Sequence, residues 1–235
     1  MAKTPLGKLK PAAIGMMELP RLDAQILAGF RELADLTGTT SDALDECDIA
    51  GVVPASVLKP TDPGARVVGQ AITVLNRVVS ERRKVSGLAD SEAHNLAEPG
   101  DVLVVQGVPQ ISSMGGISAT IGKRQGEAAA IVDGAVRDID HSRAIGYPIW
   151  SSGVSPITGK WRVETMAVND AVHIAGIEVR PGDLVVADEC GVCFVPFARA
   201  AEVLAIARRL AASEARRLQA LRDGMPLAEF VRLPR

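Results

Sequence analysis

The chain has 235 residues, of which 47% are hydrophobic and only 3% aromatic. This length allows one large domain or two small ones, and the core must be built from Ala, Val, Ile and Leu, which suits strands buried between helices. The 26 basic and 28 acidic side chains leave a net charge of −2, so there is no broad electrostatic reason to bind nucleic acid.

No apolar run reaches the roughly 20 residues that span a bilayer. The first residues are followed by no sustained apolar segment of the kind found in signal peptides. We therefore expect a cytoplasmic protein without membrane contact. The three cysteines are an odd number in a chain of this length, which argues against a disulfide framework.

The first third of the chain predicts helix, then strand, then helix. Helical spacing of apolar residues runs from about Leu22 to Leu36, and Thr37-Gly38 is expected to end that helix. Short polar residues at 40–42 are typical of a second helix start. The density of β-branched residues over 65–79 predicts a strand, and helical spacing returns over 86–97.

A Pro-Gly-Asp phrase followed by an apolar run occurs twice in the chain. The first copy is Pro99-Gly100-Asp101, before Val102, and the second is Pro181-Gly182-Asp183, before Leu184. Because Pro and Gly favour a turn and the apolar run favours a buried strand, we expect the same turn-and-strand unit at both places.

Strands and helices alternate between these two copies, which indicates an α/β fold. After Pro196, a long amphipathic helix is expected to about Arg222, packing on its own core, on a neighbouring subunit, or on both. We predict one domain over 1–235, with an α/β core over 20–196 and a C-terminal helical arm over 197–235. The elements predicted between the copies are a Gly-rich loop at Gly115-Gly116, a helix to about Arg124, a strand at Ile131-Val132, a helix from Arg137 to Ile145 and a strand at Pro148–Trp150.

The segment over 129–138 carries the strongest functional signal. An apolar run stops at Asp133-Gly134 and delivers Arg137 and Asp138 where the next helix is expected to begin. At such an edge, an arginine fork can bind a carboxylate and an aspartate can bind a hard divalent cation. The alternative is that Asp138 only complements the helix dipole and that Arg137 is solvated.

The paired glycines at Gly115-Gly116 are a second candidate, because they leave backbone N–H groups free at a helix start. Neither the GxGxxG nor the GKS/T signature is present, so no nucleotide site is expected. The pair Cys190 and Cys193 has the spacing of a redox or zinc motif, but it lies in an apparent strand, which favours a buried structural cysteine. The histidines, of which only His141 lies near Asp138, are expected to be structural or exposed.

In chain order, these segments resemble one family, the RraA-like proteins, over about Thr39 to Glu229. The family includes the 4-hydroxy-4-methyl-2-oxoglutarate and 4-carboxy-4-hydroxy-2-oxoadipate aldolases and the regulator of ribonuclease E activity. The phrase Asp-Gly-x-x-Arg-Asp in its strand context is the most specific part of the resemblance. The segments that carry it are Thr40–Leu44, Gly69–Val74, Pro99–Val105, Val132–Asp138, Pro181–Asp183 and Ala187-Asp188.

The resemblance implies a swivelling-type β/β/α fold, assembled as a trimer or a dimer of trimers with active sites between subunits. It implies Mg²⁺ or Mn²⁺ held by Asp138, largely through waters, and a pyruvoyl carboxylate and carbonyl bound by Arg137. Glu214, on the C-terminal helix of a neighbouring subunit, is the nearest match to a further catalytic carboxylate. The carboxylate pocket is completed by the backbone amides of Gly116, Ile117, Ser118 and Ala119.

The resemblance also implies a reaction, namely cleavage of a carbon–carbon bond that leaves pyruvate enolate. Gly116 stands where the aldolases carry an acidic residue that handles a proton, and Cys190 stands where an acidic residue is usual. Since loss of CO₂ needs no base at a hydroxyl, we expect a divalent-metal lyase for small 2-oxo diacids, with oxaloacetate decarboxylation ahead of aldol cleavage. The alternative is a non-catalytic regulatory protein of the ribonuclease E regulator type.

Overall fold

The computed structural model describes residues 3–82 and 84–233 and confirms the predicted mixed α/β fold. The helices are α1 (Ala24–Arg31), α2 (Leu36–Glu46), α3 (Asp90–Leu96), α4 (Gly116–Gln125), α5 (Ile139–Ala144), α6 (Ala200–Arg222) and α7 (Leu227–Phe230). The strands are β1 (Val52–Pro54), β2 (Lys59–Pro60), β3 (Val67–Val78), β4 (Val102–Gln106), β5 (Ser112–Met114), β6 (Ala129–Val136), β7 (Ile149–Val154), β8 (Val163–Val168), β9 (Val172–Ile174), β10 (Ile177–Val179), β11 (Leu184–Asp188) and β12 (Gly191–Val195).

One large mixed sheet organises the molecule, in the order β1-β12-β11-β3-β4-β6-β7-β2. Strands β3, β4, β6 and β7 pair with one another in parallel, in that order, and β5 adds a further parallel pairing to β6. The outer strands β1, β2, β11 and β12 pair antiparallel, as does β8 with β3, while β9 and β10 form a separate hairpin. The long β3 joins the parallel and antiparallel parts, so it fixes their relative positions.

The parallel strands are buried on both faces, which explains their continuous apolar sequences. Leu103 on β4 packs in a cluster with residues of α3 and α4, whereas Val104 packs in a cluster on the opposite face with the β9–β10 hairpin. A third cluster joins α1, α2 and α6 to β11 and β12. The sheet is therefore covered by different elements on its two faces.

The two Pro-Gly-Asp phrases form the same turn, as predicted. Gly100 and Gly182 have φ of +92° and +91°, a left-handed conformation that favours glycine. In each copy the Asp backbone N–H donates to the carbonyl three residues earlier, and its side chain accepts from the N–H of that same residue. Each turn leads directly into a buried strand, β4 after Asp101 and β11 after Asp183.

The predicted boundary between the first two helices is wrong. Thr37-Gly38 does not end a helix but lies in the first turn of α2, and residues 40–42 lie inside that helix. Asp35 is the residue before α2, and its carboxylate accepts a hydrogen bond from the Gly38 N–H at 3.2 Å. The hydrogen bond from the Gly38 N–H to the Asp35 side chain therefore fixes the start of this helix, because a side-chain cap at the N-terminus stabilises a helix.

Two further boundaries differ from the prediction. The helix expected over 86–97 is α3, which begins only at Asp90. Strand β6 does not stop at Asp133-Gly134 but continues to Val136 across a register shift against β7, and α5 begins at Ile139 rather than Arg137. At Gly134, an added Cβ would lie 2.8 Å from the backbone N of Val108, so the close approach of the neighbouring loop explains the glycine.

The C-terminal helix α6 packs on α2 of the same chain. Val203, Leu204 and Ala207 are buried in the cluster that contains Leu44. The single domain over 1–235 and its division into 20–196 and 197–235 stay predictions, and residues 1, 2, 83, 234 and 235 lie outside the described ones. None of the helices within the described ranges is long and apolar enough to cross a membrane.

Candidate functional site

Strands β5 and β6 run side by side and end together. Ser112 is opposite Ala135 and Met114 is opposite Val136 in this parallel pair. The Arg137 N–H donates to the Met114 carbonyl at 3.0 Å, which extends the contact past the last strand residue. The chain that leaves β5 and the chain that leaves β6 therefore emerge as neighbours at one edge of the sheet.

The absence of a side chain at Gly115 allows this close approach. A Cβ added there would lie 2.8 Å from Asp138 Oδ2 and 3.0 Å from Arg137 Nε. Since Cβ atoms essentially never lie under 3.0 Å from another heavy atom, any other residue would displace the Asp138 carboxylate and crowd the Arg137 side chain. The sequence suggested that Gly115 lets the backbone come close to a ligand, but in the structure it lets two protein side chains come close to the backbone.

Asp138 links the two chain segments through a hydrogen bond. Its Oδ2 accepts from the Gly116 N–H at 2.9 Å, at the N-terminus of α4, and its side chain is 46% exposed. Its backbone is left-handed, with φ of 56° and ψ of 37°, and its carboxylate makes no cap bond to its own helix α5. The Asp138 carboxylate therefore complements the dipole of the neighbouring helix α4 rather than that of α5, and the rest of the carboxylate faces solvent.

The side chain of Arg137 makes few contacts that stabilise the fold. Its side chain is 42% exposed, and Nε lies 3.5 Å from Asp138 Oδ2. Within residues 3–82 and 84–233, its guanidinium makes no hydrogen bond. Two of its nitrogens are thus available to bind a carboxylate in a planar, bidentate manner.

The first turn of α4 offers fewer free N–H groups than predicted. The Gly116 N–H is bound to Asp138, and the Ala119 N–H donates to the Gly115 carbonyl at 3.0 Å, so Ala119 is an internal helix donor and not a free one. Ile117 and Ser118 lie in the first turn, before the helical bonding pattern begins, so their N–H groups remain available.

A cleft of about 330 Å³ opens beside this turn, and we call it the α4 cleft. Arg137, Gly116, Ile117 and Ser118 line it, so the structure brings these four predicted residues together. The sequence did not point to its other polar residues, which come from β5, from the start of α3 and from segments far apart in the chain. These residues are Ser86, Asp90, Ser112, Ser113, Thr158 and Lys160.

Asp138 faces a second, more open pocket on the other side of Gly116 and Ile117. His141 also lines this pocket, and its Nε2 is 2.8 Å from Thr120 Oγ1. Within the described chain, no group of three or more His, Cys, Asp or Glu side chains could hold a metal ion. A single half-exposed carboxylate fits Mg²⁺, which keeps several waters and needs one or two protein carboxylates, and it would not fit a metal that needs a closed protein cage.

Glu214 is not part of this arrangement within one chain. It is exposed on α6, and no hydrogen bond or ion pair of the described residues joins it to Arg137 or Asp138. Its predicted catalytic role needs a neighbouring subunit and stays a prediction.

The cysteine pair does not form a reactive site. Cys190 is exposed in the turn between β11 and β12, whereas Cys193 is buried in β12, and burial raises the pKa of its thiol to about 12. A thiol with this pKa is not a thiolate near neutral pH, which supports the structural interpretation. Among the other histidines, His94 is buried and His173 is exposed.

Known proteins are similar to this chain in sequence and in fold. The family model described as RraA-like, Aldolase/RraA, matches residues 37–194. A protein from Halalkalibacterium halodurans named "Putative 4-hydroxy-4-methyl-2-oxoglutarate aldolase" is 33% identical over 209 residues, covering 88% of this chain and 93% of that protein.

Two crystal structures are similar over nearly their whole length. An uncharacterized protein from Pseudomonas syringae pv. tomato is 30% identical, with a TM-score of 0.77 over 90% of this chain and 98% of that one. The Streptomyces coelicolor protein RraAS2, described as an unusual member of the RNase ES inhibitor RraA protein family, is 29% identical, with a TM-score of 0.73 over 83% of this chain and 96% of that one.

Proposed function

This chain belongs to the RraA-like family, and from that premise we propose that it is a divalent-metal-dependent lyase for small 2-oxo diacids. The reaction we propose is carbon–carbon cleavage through pyruvate enolate, with oxaloacetate as the first candidate substrate. The relatives named as 4-hydroxy-4-methyl-2-oxoglutarate aldolases support a lyase of this class. We also propose that it works as a homo-oligomer, a trimer or a dimer of trimers, in the cytoplasm.

One observation carries the proposal, namely the convergence of a free guanidinium and a half-exposed carboxylate at the start of α4. Arg137 lines the α4 cleft, and Asp138 lies beside it on the Gly116 N–H. In a purely structural Arg-Asp pair, the side chains would form hydrogen bonds to other residues of the fold, whereas most hydrogen-bonding groups of this pair have no partner in the described chain. An oxo acid offers a carboxylate and a carbonyl oxygen that match these groups.

The chain's own residues would bind and orient the substrate. Arg137 donates to the carboxylate next to the 2-oxo group, and the first-turn N–H groups of Ile117 and Ser118 add donors and the positive end of the helix dipole. Mg²⁺ or Mn²⁺ held by Asp138 would supply positive charge that stabilises the negative charge developing on the 2-oxo group. Arg137 lies on the same side and shares in that stabilisation.

Gly116 favours decarboxylation over aldol cleavage. When the C3–C4 bond of oxaloacetate breaks, CO₂ leaves and the electron pair becomes the pyruvate enolate, which then takes a proton at C3 from solvent. Aldol cleavage has an additional requirement, because a base must first remove the proton of the C4 hydroxyl. No side chain is present at Gly116 to be that base.

The non-catalytic alternative is a regulatory protein of the ribonuclease E regulator type, and the similarity to RraAS2 supports it. The two functions differ in what they require. A regulator works through its surface and has no need of the Arg137 and Asp138 side chains, so their substitution separates the two.

The first prediction is a metal-dependent release of pyruvate. Assayed against a panel of 2-oxo acids, the protein should decarboxylate oxaloacetate with added Mg²⁺ and lose that activity in excess chelator. Asp138→Ala should weaken divalent-metal binding, measured by calorimetry, while circular dichroism shows a folded protein, because the side chain is half exposed. Full activity in chelator, or no activity on any acid of the panel, would contradict the proposal.

The second prediction concerns the planar fork of Arg137. Arg137→Lys keeps the charge but loses the bidentate contact, so kcat/KM should fall by an amount equivalent to about 1.5–3 kcal/mol. The melting temperature should not change, because the guanidinium makes one long ion pair and no hydrogen bond in the described chain. Unchanged kinetics with a lowered melting temperature would show that Arg137 is structural.

The third prediction tests Gly116 itself. Its backbone is helical and its φ is not left-handed, and an added Cβ would lie 3.2 Å from the ring of the exposed His141, which can shift. Gly116→Asp should therefore fold and raise aldol cleavage of 4-hydroxy-4-methyl-2-oxoglutarate, whereas Gly116→Asn, of equal size but without a carboxylate, should not. Efficient aldol cleavage by the unmodified protein would mean that another group moves the proton.

A further inference from the structure

A buried hydrogen-bonded chain connects the core to the α4 cleft. His94 on α3 is fully buried; its Nδ1 lies 2.7 Å from Glu127 Oε1, and its Nε2 lies 2.8 Å from Ser118 Oγ. The Tyr147 hydroxyl donates to Glu127 Oε2 at 2.6 Å. Ser118 and Asp90 both line the cleft, so one end of this chain lies at the proposed ligand site.

The groups around His94 favour its charged form. The Glu127 carboxylate is also fully buried, and Asp90 Oδ2 lies 3.8 Å from His94 Nε2. Burial opposes the imidazolium, but the hydrogen bond and charge of Glu127 and the charge of Asp90 outweigh it, so the pKa of His94 is raised. Burial and Glu127 also raise the pKa of Tyr147 well above its ordinary value, so its hydroxyl remains a donor.

The protonation of His94 decides the direction of the Ser118 hydroxyl. As imidazolium, His94 donates from Nδ1 to Glu127 and from Nε2 to Ser118 Oγ. Ser118 Oγ then acts as an acceptor, and no other hydrogen-bond partner for it is found in the described ranges. Its own hydrogen is therefore free to donate elsewhere, and Ser118, which is 8% exposed, lines the cleft.

We propose that His94 is a positioning residue that aims the Ser118 hydroxyl at a carboxylate bound in the α4 cleft. When His94 loses its proton, Nε2 becomes an acceptor and Ser118 must donate to it. The serine then presents lone pairs to the ligand instead of a hydrogen. The affinity of the cleft for a carboxylate should thus fall as the pH rises through the pKa of His94.

The test uses the full chain with Mg²⁺ and oxalate, a planar dicarboxylate that mimics pyruvate enolate. The dissociation constant of oxalate, measured by calorimetry from about pH 6 to about pH 9, should rise about tenfold through one step in the unmodified protein. Ser118→Ala keeps the His94–Glu127 pair intact, so it should fold, bind oxalate about tenfold more weakly at low pH and lack the step.

Two other variants separate positioning from simple structural support. Glu127→Gln removes the buried charge that holds the proton on His94, so it should move the step to lower pH. His173→Gln, at an exposed histidine on β9, should leave the step unchanged. The midpoint in the unmodified protein should coincide with the titration of His94 followed by NMR.

This inference rests on the proposed function, and Arg137→Ala distinguishes the two. If oxalate binding is lost in Arg137→Ala but the pH step persists in Ser118→Ala, the role of His94 and Ser118 is rejected and the proposed site stands. If oxalate binds equally well without Arg137, or does not bind at all, the proposed site is rejected and the His94 proposal with it.

Discussion

The candidate site depends on the hydrogen bond between the Gly116 N–H and the Asp138 carboxylate. This bond joins the chain that leaves β5 to the chain that leaves β6, and it forms only because Gly115 has no side chain. It places a carboxylate at the positive end of α4 and leaves the neighbouring guanidinium free of the fold. The parallel β5–β6 pair is therefore both a structural element of the sheet and the frame that brings Arg137 and Asp138 to α4.

Helix α4 provides several of the groups that favour an anion at the site. Its N-terminus contributes the helix dipole and two free N–H groups, and its first turn carries Ser118, which the buried His94 contacts from behind. Because a buried ion pair loses much of its attraction to desolvation, the His94–Glu127 pair is poorly explained as a device for stability alone. Its connection to the cleft through Ser118 gives the pair a role that a hydrophobic core could not supply.

The sequence predicted the elements whose signal is local. The β-branched run of β3, the repeated Pro-Gly-Asp turns and the long amphipathic α6 all follow from neighbouring residues, and so does the pairing of Arg137 with Asp138 at a strand end. The boundary at Thr37-Gly38 failed because the capping by Asp35 outweighs the helix-breaking tendency of Gly38. The short strands β1, β2 and β5 were missed because they are defined by partners far along the chain.

The polar residues that line the α4 cleft could not be predicted from the sequence either, because they come together from positions far apart in the chain. Asp90 reaches it from the start of α3, and Thr158 and Lys160 reach it from the segment between β7 and β8, so their positions depend on the whole sheet. The residues themselves predicted that Arg137 binds a carboxylate and that the glycine pair leaves N–H groups free. The resemblance to the RraA-like family added the pyruvoyl group, but it included Ala119, whose N–H is used inside the helix. The His94–Ser118 contact joins two residues with no motif between them, so only the three-dimensional structure reveals it.

In the proposed site, Arg137, Asp138 and the start of α4 bind an oxo acid together with a divalent cation. A crystal structure of the protein soaked with Mn²⁺ and oxalate tests it most directly, because the anomalous signal of manganese locates the metal without ambiguity. We expect a manganese peak beside the Asp138 carboxylate and an oxalate whose oxygens accept from Arg137 and from the first-turn N–H groups of α4. Manganese and oxalate bound elsewhere, or a cleft that stays free of both at saturating concentrations, would contradict it.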